Sequence, residues 1–158
     1  MIRARGGFTL VELLVTLAIV GVLATSVVPL AELAVKRTKE RELAAALRGI
    51  RGALDEYKRA VDEGRVARKA DESGYPPSLE LLVRGVEDAK DPKKAKIYFL
   101  RRLPRDPFYP EASAPAASTW GKRSYASPPE APEEGKDVFD VYSLAEGAGL
   151  NGIPYREW

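Results

Sequence analysis

Gly6-Gly7-Phe8-Thr9-Leu10-Val11-Glu12-Leu13-Leu14 opens an apolar run that continues to residue 31. Residues 8–31 number twenty-four, and Glu12 is the only one that carries a charge. At 1.5 Å rise per residue a helix of that length spans ~36 Å, enough to cross a hydrocarbon core of about 30 Å with some tilt. Glu12 sets a problem for that reading. An ionised carboxylate about a turn into a membrane helix costs on the order of kilocalories per mole unless it is paired, protonated or near the interface. A plain anchor has no use for it.

A secretory signal peptide accounts for only part of the pattern. Such a signal places a basic segment first, then an apolar region of about 7 to 15 residues, then small residues before the cut. Arg3 and Arg5 supply the basic part, but the apolar run is too long and the small pair Gly6-Gly7 precedes it. A cut at that pair removes the basic leader and leaves the apolar helix on the mature chain.

That inverted order, with these residues, resembles the class III leader of type IV pilins and type II secretion pseudopilins. The resemblance implies a membrane peptidase that cuts between Gly7 and Phe8 and methylates Phe8 as the new N-terminus. Glu12 then becomes the fifth residue of the mature chain. Thr9 and Leu10 continue the usual Phe-Thr-Leu opening, Gly21 lies within the helix, and Pro29 falls where these helices commonly bend or melt. The same resemblance gives Glu12 a task. Cleavage creates a cationic amine at Phe8, and in a bundle of such helices one subunit's carboxylate neutralises a neighbour's amine, since either charge alone is costly there. Glu12 is thus expected to set assembly register.

Composition bounds the rest. The chain has 158 residues, 45% hydrophobic and 30% charged, with 25 basic and 23 acidic side chains. Removing Arg3 and Arg5 leaves 23 against 23, so nothing calls for nucleic acid or an anionic surface as the main partner. Neither cysteine nor histidine is present. That excludes disulfides, tetrahedral Cys/His zinc sites and the usual Ser-His-Asp and Cys-His catalytic arrangements. Many type IV pilins close their C-terminal region with a disulfide, so its absence tilts the resemblance toward the pseudopilin branch.

Past residue 31 the pattern turns amphipathic. Leu43, Leu47, Ile50, Leu54, Tyr57 and Val61 line one face of a helix, with Lys39, Arg41, Arg48, Arg51, Glu56 and Arg59 at other angles. Such a stripe packs a helix on a sheet, and one long helix is expected over about 9–63. Pro29 lacks an N–H and favours a kink or local unwinding just before it. The expected fold is α+β and pilin-like. Its parts are a leader at 1–7, a transmembrane and filament-core helix at 8–31, and a periplasmic domain at 32–158 that includes the amphipathic half of the long helix.

Residues 64–74 read as a polar loop. Tyr75-Pro76-Pro77-Ser78 then punctuates the chain, and Ser78 is the expected N-cap of a second helix through residue 86. Residues 87–96 read as a charged loop and Ile97-Tyr98-Phe99-Leu100 as a β-prone run. Arg102-Leu103-Pro104-Arg105-Asp106-Pro107-Phe108 resembles the segment leading into the C-terminal sheet of major pseudopilins. Its prolines fix an extended path, and Asp106 between them is placed to bond nearby amides. Residues 109–120 read as irregular, 122–127 and 138–143 as antiparallel strands, and Tyr155 and Trp158 as aromatics that pack back onto the domain.

Phe139-Asp140-Val141-Tyr142-Ser143-Leu144 resembles the approach to the calcium loop of major pseudopilins, whose following turn usually carries several aspartates. Calcium wants about six to eight oxygen ligands with substantial carboxylate charge. Here the turn offers Glu146, the side-chain oxygen of Asn151, backbone carbonyls and Glu157, a thin set. The expectation is therefore no cofactor, the loop being closed by glycine turns and by packing of Ile153, Tyr155 and Trp158.

The function implied by the resemblance is that of a structural subunit of a type II secretion pseudopilus. It would be polymerised from the bacterial inner membrane to promote protein export across the outer membrane. Its implied partners are copies of itself, minor pseudopilins, the prepilin peptidase and an inner-membrane assembly platform with an ATPase. A type IV pilin or minor pilin-like protein for adhesion, motility or DNA uptake is the alternative on the same anchor. Arg3 and Arg5 put the N-terminus on the cytoplasmic side before processing and the C-terminal domain in the periplasm. An enzyme is not expected. Asp137 and Asp140 are a pair of carboxylates, but their spacing of three in a strand puts them on opposite faces.

Overall fold

The computed structural model describes residues 7–158, apart from the side chain of Ser26. Arg3, Arg5 and Gly6 of the leader lie outside the described residues. The chain divides into two compact units, 1–38 and 39–158.

Helix α1 runs from Leu10 to Asp62, fifty-three residues, within one residue at each end of the length the sequence predicts. Its part in the first unit is exposed and apolar, and by length and composition it suffices to cross a membrane. The threonine hydroxyls within this part of the helix find partners in the helix itself. Thr16 Oγ1 donates to the carbonyls of Glu12 and Leu13, both at 2.9 Å, and Thr25 Oγ1 donates to that of Val22 at 2.8 Å. A polar group that bonds its own backbone needs no water, which suits a helix in hydrocarbon. Pro29 lies inside α1, and the helix continues on both sides of it.

In the second unit α1 becomes the spine. Leu43, Leu47, Ile50, Leu54, Tyr57 and Val61 are all buried, as their spacing predicts. Onto this stripe packs helix α2 (Leu79–Arg84), with Leu79 and Leu82 fully buried. Ser78 is the N-cap residue, but its side chain makes no capping bond to the helix amides. Glu80 has its carboxyl held below the usual range, chiefly by its own backbone amide and then by the Ser78 hydroxyl. The helix stops two residues early because Gly85 takes φ of +71°. A Cβ there would also lie 2.8 Å from the Ile97 carbonyl, so glycine is required twice over.

The strands are shorter than expected and form two sheets. β1 (Val86–Glu87) pairs antiparallel with β2 (Lys96–Ile97), and β3 (Trp120–Arg123) with β4 (Asp140–Ser143). The β-prone run therefore contributes only Ile97 to a strand. Phe99 and Leu100 turn their amides to the Leu82 carbonyl instead, at 3.1 and 3.0 Å, and Phe99 packs edge-on to Tyr57. β3 starts two residues before the predicted strand and ends at Arg123. Its Gly121 lies under the Tyr142 ring, where a Cβ would come within 2.3 Å of ring carbons. Trp120, 1% exposed, fills the core below and donates its indole N–H to the Pro104 carbonyl at 2.9 Å.

The polar loop after α1 is tied down by one ion pair. Arg65 Nη2 lies 2.7 Å from Asp88 Oδ2, and Asp88 Oδ1 accepts from the Lys90 amide at 3.0 Å. The Arg65 hydrogen bond, followed by the Lys90 amide, holds the Asp88 carboxyl below its ordinary value. A depressed folded-state pKa adds stability above the unfolded value, near 4, and loses it as pH falls through the folded value. Asp88→Asn should therefore lower stability at neutral pH and flatten its decline below pH ~4. Urea titrations across that range check this, and an unchanged acid slope would count against the pair.

Candidate functional site

The N-terminal stretch is built by the start of α1. Gly7, Phe8 and Thr9 precede the helix in non-helical backbone, and Phe8 is 81% exposed. Thr9 caps the helix. Its Oγ1 accepts from the amide of Glu12 at 3.2 Å, and its carbonyl accepts from that of Leu13 at 3.1 Å. Thr9 and Glu12 stand at the two positions of a capping box, a relation that the sequence alone displays as Thr-x-x-Glu. The cap fixes where α1 begins and puts Glu12 in its first turn, where the helix dipole favours negative charge.

Two further features of this stretch concern Glu12 and Gly7. The Glu12 carboxylate has no hydrogen-bond or ion-pair partner among the described residues. At Gly7 an added Cβ would meet nothing within 4 Å among the described residues, so no described neighbour requires a glycine there. Gly7, Phe8, Glu12 and Pro29, the residues expected from the sequence to serve processing and assembly, follow one another along one segment, and among the described residues no hydrogen bond joins any two of them.

The second candidate, the turn that the resemblance likens to a calcium loop, is built differently. Asn151 Oδ1 accepts from the Ile153 amide at 3.0 Å. The Gly147 carbonyl accepts from the Tyr155 amide, the Gly149 carbonyl from the Gly152 amide, and the Ile153 carbonyl from both the Gly149 amide and the Trp158 indole. Glu146 and Glu157 are exposed, and among the described residues no three Asp or Glu side chains gather to hold a metal. This donor set does not suit calcium.

Two residues of α1 reach this turn, and the sequence reading assigned neither to it. Glu40 Oε1 accepts from the Leu150 amide at 2.8 Å and the Tyr155 hydroxyl at 3.1 Å. Burial, then that hydrogen bond, push the Tyr155 hydroxyl up to about 12, so it remains a donor at physiological pH. Arg51 donates Nε to Asp140 Oδ1 at 2.8 Å, and Nη2 to the main-chain oxygens of Val141 and Trp158 at 3.1 and 2.7 Å. A signal for Glu40 was present. The spacing of three and four that runs from Leu43 to Val61 extends back to position 40, so an acid stands where the stripe asks for an apolar residue.

The two aspartates considered for hydrolysis serve structure. Asp137 lies outside β4, bonded to the Ser73 hydroxyl and, at 2.9 Å, to the Tyr125 amide, while Asp140 binds Arg51 and Arg123. Arginine neighbours keep Asp140 as an ion-pair partner.

A long apolar helix behind a basic leader, continued as an amphipathic helix that packs on small antiparallel sheets, defines the pilin-like α+β class. Residues 2–28 match the family described as the prokaryotic N-terminal methylation motif. Type II secretion system core protein G of Pseudomonas aeruginosa is 30% identical, over 99% of this chain and 96% of that protein. The proteins of the same name from Dickeya chrysanthemi and Vibrio cholerae are 28% and 27% identical, over 96% and 99% of this chain and 95% and 93% of their own lengths. The chain belongs to the type II secretion system core protein G family. No solved structure matches it.

Proposed function

We propose that this chain is the major pseudopilin of a type II secretion system, a structural subunit rather than an enzyme. The observation that carries the reading is the Glu12 carboxylate, unpartnered among the described residues, in the first turn of an apolar helix and five residues beyond a glycine that no described neighbour requires. Neither is engaged by another side chain among the described residues. Both acquire a use if a prepilin peptidase cuts after Gly7 and methylates Phe8, and if the freed amine of one subunit meets the carboxylate of the next.

On this reading the first part of α1 holds the subunit in the bacterial inner membrane, with the leader cytoplasmic and residues 32–158 in the periplasm. Copies of the chain assemble with minor pseudopilins on an inner-membrane platform driven by an ATPase, and the filament promotes export across the outer membrane. Pro29 is the point at which α1 bends or unwinds as helices pack. Family membership and the N-terminal motif support the assignment.

Intact-mass analysis of the protein from membranes of its native host tests this directly. The expected mass lacks Met1 to Gly7 and carries one methyl group on Phe8. A full-length mass in cells with an active prepilin peptidase would overturn the processing and the assembly argument with it.

A further inference from the structure

A divalent cation organises a loop by gathering acceptors, since carbonyl and carboxylate oxygens must all point at it. At the C-terminal turn of this chain the groups that converge are donors. The Leu150 amide and the Tyr155 hydroxyl point at the Glu40 carboxylate, and the Arg51 guanidinium points at the main-chain oxygens of Val141 and Trp158. The Lys39 ammonium lies 5.7 Å from the centre of the Phe108 ring, which itself stacks on Tyr155 at 4.4 Å. A cation brought here would find the Glu40 carboxylate and these main-chain oxygens already taken by N–H and O–H donors, with the Arg51 guanidinium and Lys39 ammonium close by.

We propose that the C-terminal loop, residues 144–158, is locked without a metal ion by two side chains of α1, with Glu40 bridging Leu150 to Tyr155 and Arg51 holding Trp158. The lock inverts the chemistry of a calcium site, because an anion gathers donors in place of a cation gathering acceptors. Its two halves lie eleven positions apart on α1, about three turns, and so clasp the loop at two heights on one side of the helix. Tyr155 is the common element. Its hydroxyl meets Glu40 while its ring lies between Phe108 and Trp158, with centroid distances of 4.4 and 5.4 Å. The folding of this subunit is therefore independent of calcium, whether or not it polymerises.

Thermal unfolding of the full chain in detergent, with about 10 mM calcium or with excess EGTA, tests the inference at a concentration above the ~10⁻³ M limit of weak extracellular sites. The midpoint is expected to agree within about 2 °C in the two conditions, a bound set below the several degrees that mass-action binding would add. A larger rise with calcium, or fall with EGTA, overturns it. Glu40→Ala separates the lock from general stability. Amide exchange at Leu150 should accelerate at least tenfold while amides of α2 keep their protection, and calcium should restore neither exchange nor midpoint. Glu40→Gln, which keeps one acceptor oxygen, should recover part of the protection. Unchanged exchange at Leu150 in Glu40→Ala would refute the clasp even if the EGTA result held.

Discussion

Gly7→Leu is expected to leave the precursor uncut, so that the chain keeps Met1 to Gly7, Phe8 stays unmethylated and no filament forms. The expectation follows from what the glycine does not do. Among the described residues it meets no neighbour that a side chain would displace, and it precedes the residue at which α1 begins. Thermal unfolding of residues 39–158 should be the same in the variant and the parent, since the substitution lies in the other unit. A processing loss of a hundredfold or more with no change in stability is the signature of a residue read by a peptidase. Normal trimming of Gly7→Leu would sink the leader assignment. Glu12→Val is its companion and should separate the two steps. The cut remains, because Glu12 lies beyond it, whereas filament yield should fall at least tenfold, because the Phe8 amine then has no carboxylate to meet. Unchanged yield would show that Glu12 is not an assembly contact.

How much of this was legible in the sequence depended on the range of the forces involved. Helix α1 was readable because both its halves advertise themselves locally, the first by an unbroken apolar run and the second by a stripe at helical spacing. The strands were harder. Trp120 and Gly121 open β3 because the indole finds the Pro104 carbonyl and the ring of Tyr142 needs an empty space beside it, and neither partner is near in sequence. Ile97 to Leu100 has the composition of a strand, yet after Ile97 its amides go to α2, a tertiary choice that overrides propensity. Glu40 and Arg51 were missed for a related reason. A charged residue on an amphipathic helix is usually solvated, and only partners 89 to 115 positions away show that these two are not.

Asp106 was read correctly as a residue that bonds nearby amides, and the structure gives it a larger role than that. Its side chain is buried, and Oδ1 accepts from the Phe108 amide at 2.8 Å, which fixes the turn at Pro107. Oδ2 accepts from the Ser143 hydroxyl, whose own oxygen takes the Ala145 amide at 3.1 Å. The Asp106 amide donates in turn to Thr119 Oγ1 at 3.2 Å, and the Thr119 hydroxyl donates to the Ala116 carbonyl at 2.7 Å. One buried residue thus joins the proline loop, the 3-10 turn at Ala116–Thr119 and the end of β4.

Asp106→Ala should therefore be among the most damaging single changes in the second unit. A hydrogen bond to a charged group contributes about 1.5–3 kcal/mol, and the two that the carboxylate makes are not additive, so a loss of about 3 kcal/mol is expected. The midpoint should fall by about 10 °C. Ser143→Ala, which removes one of the two bonds but leaves the Phe108 turn intact, should cost about 1–2 kcal/mol. Double-mutant analysis then decides between a network and two separate contacts. If the double variant is barely worse than Asp106→Ala alone, the serine acts through the aspartate, as the geometry requires. Stability of Asp106→Ala within about 0.5 kcal/mol of the parent would mean that the buried carboxylate is a passenger, and that the proline path alone positions β4.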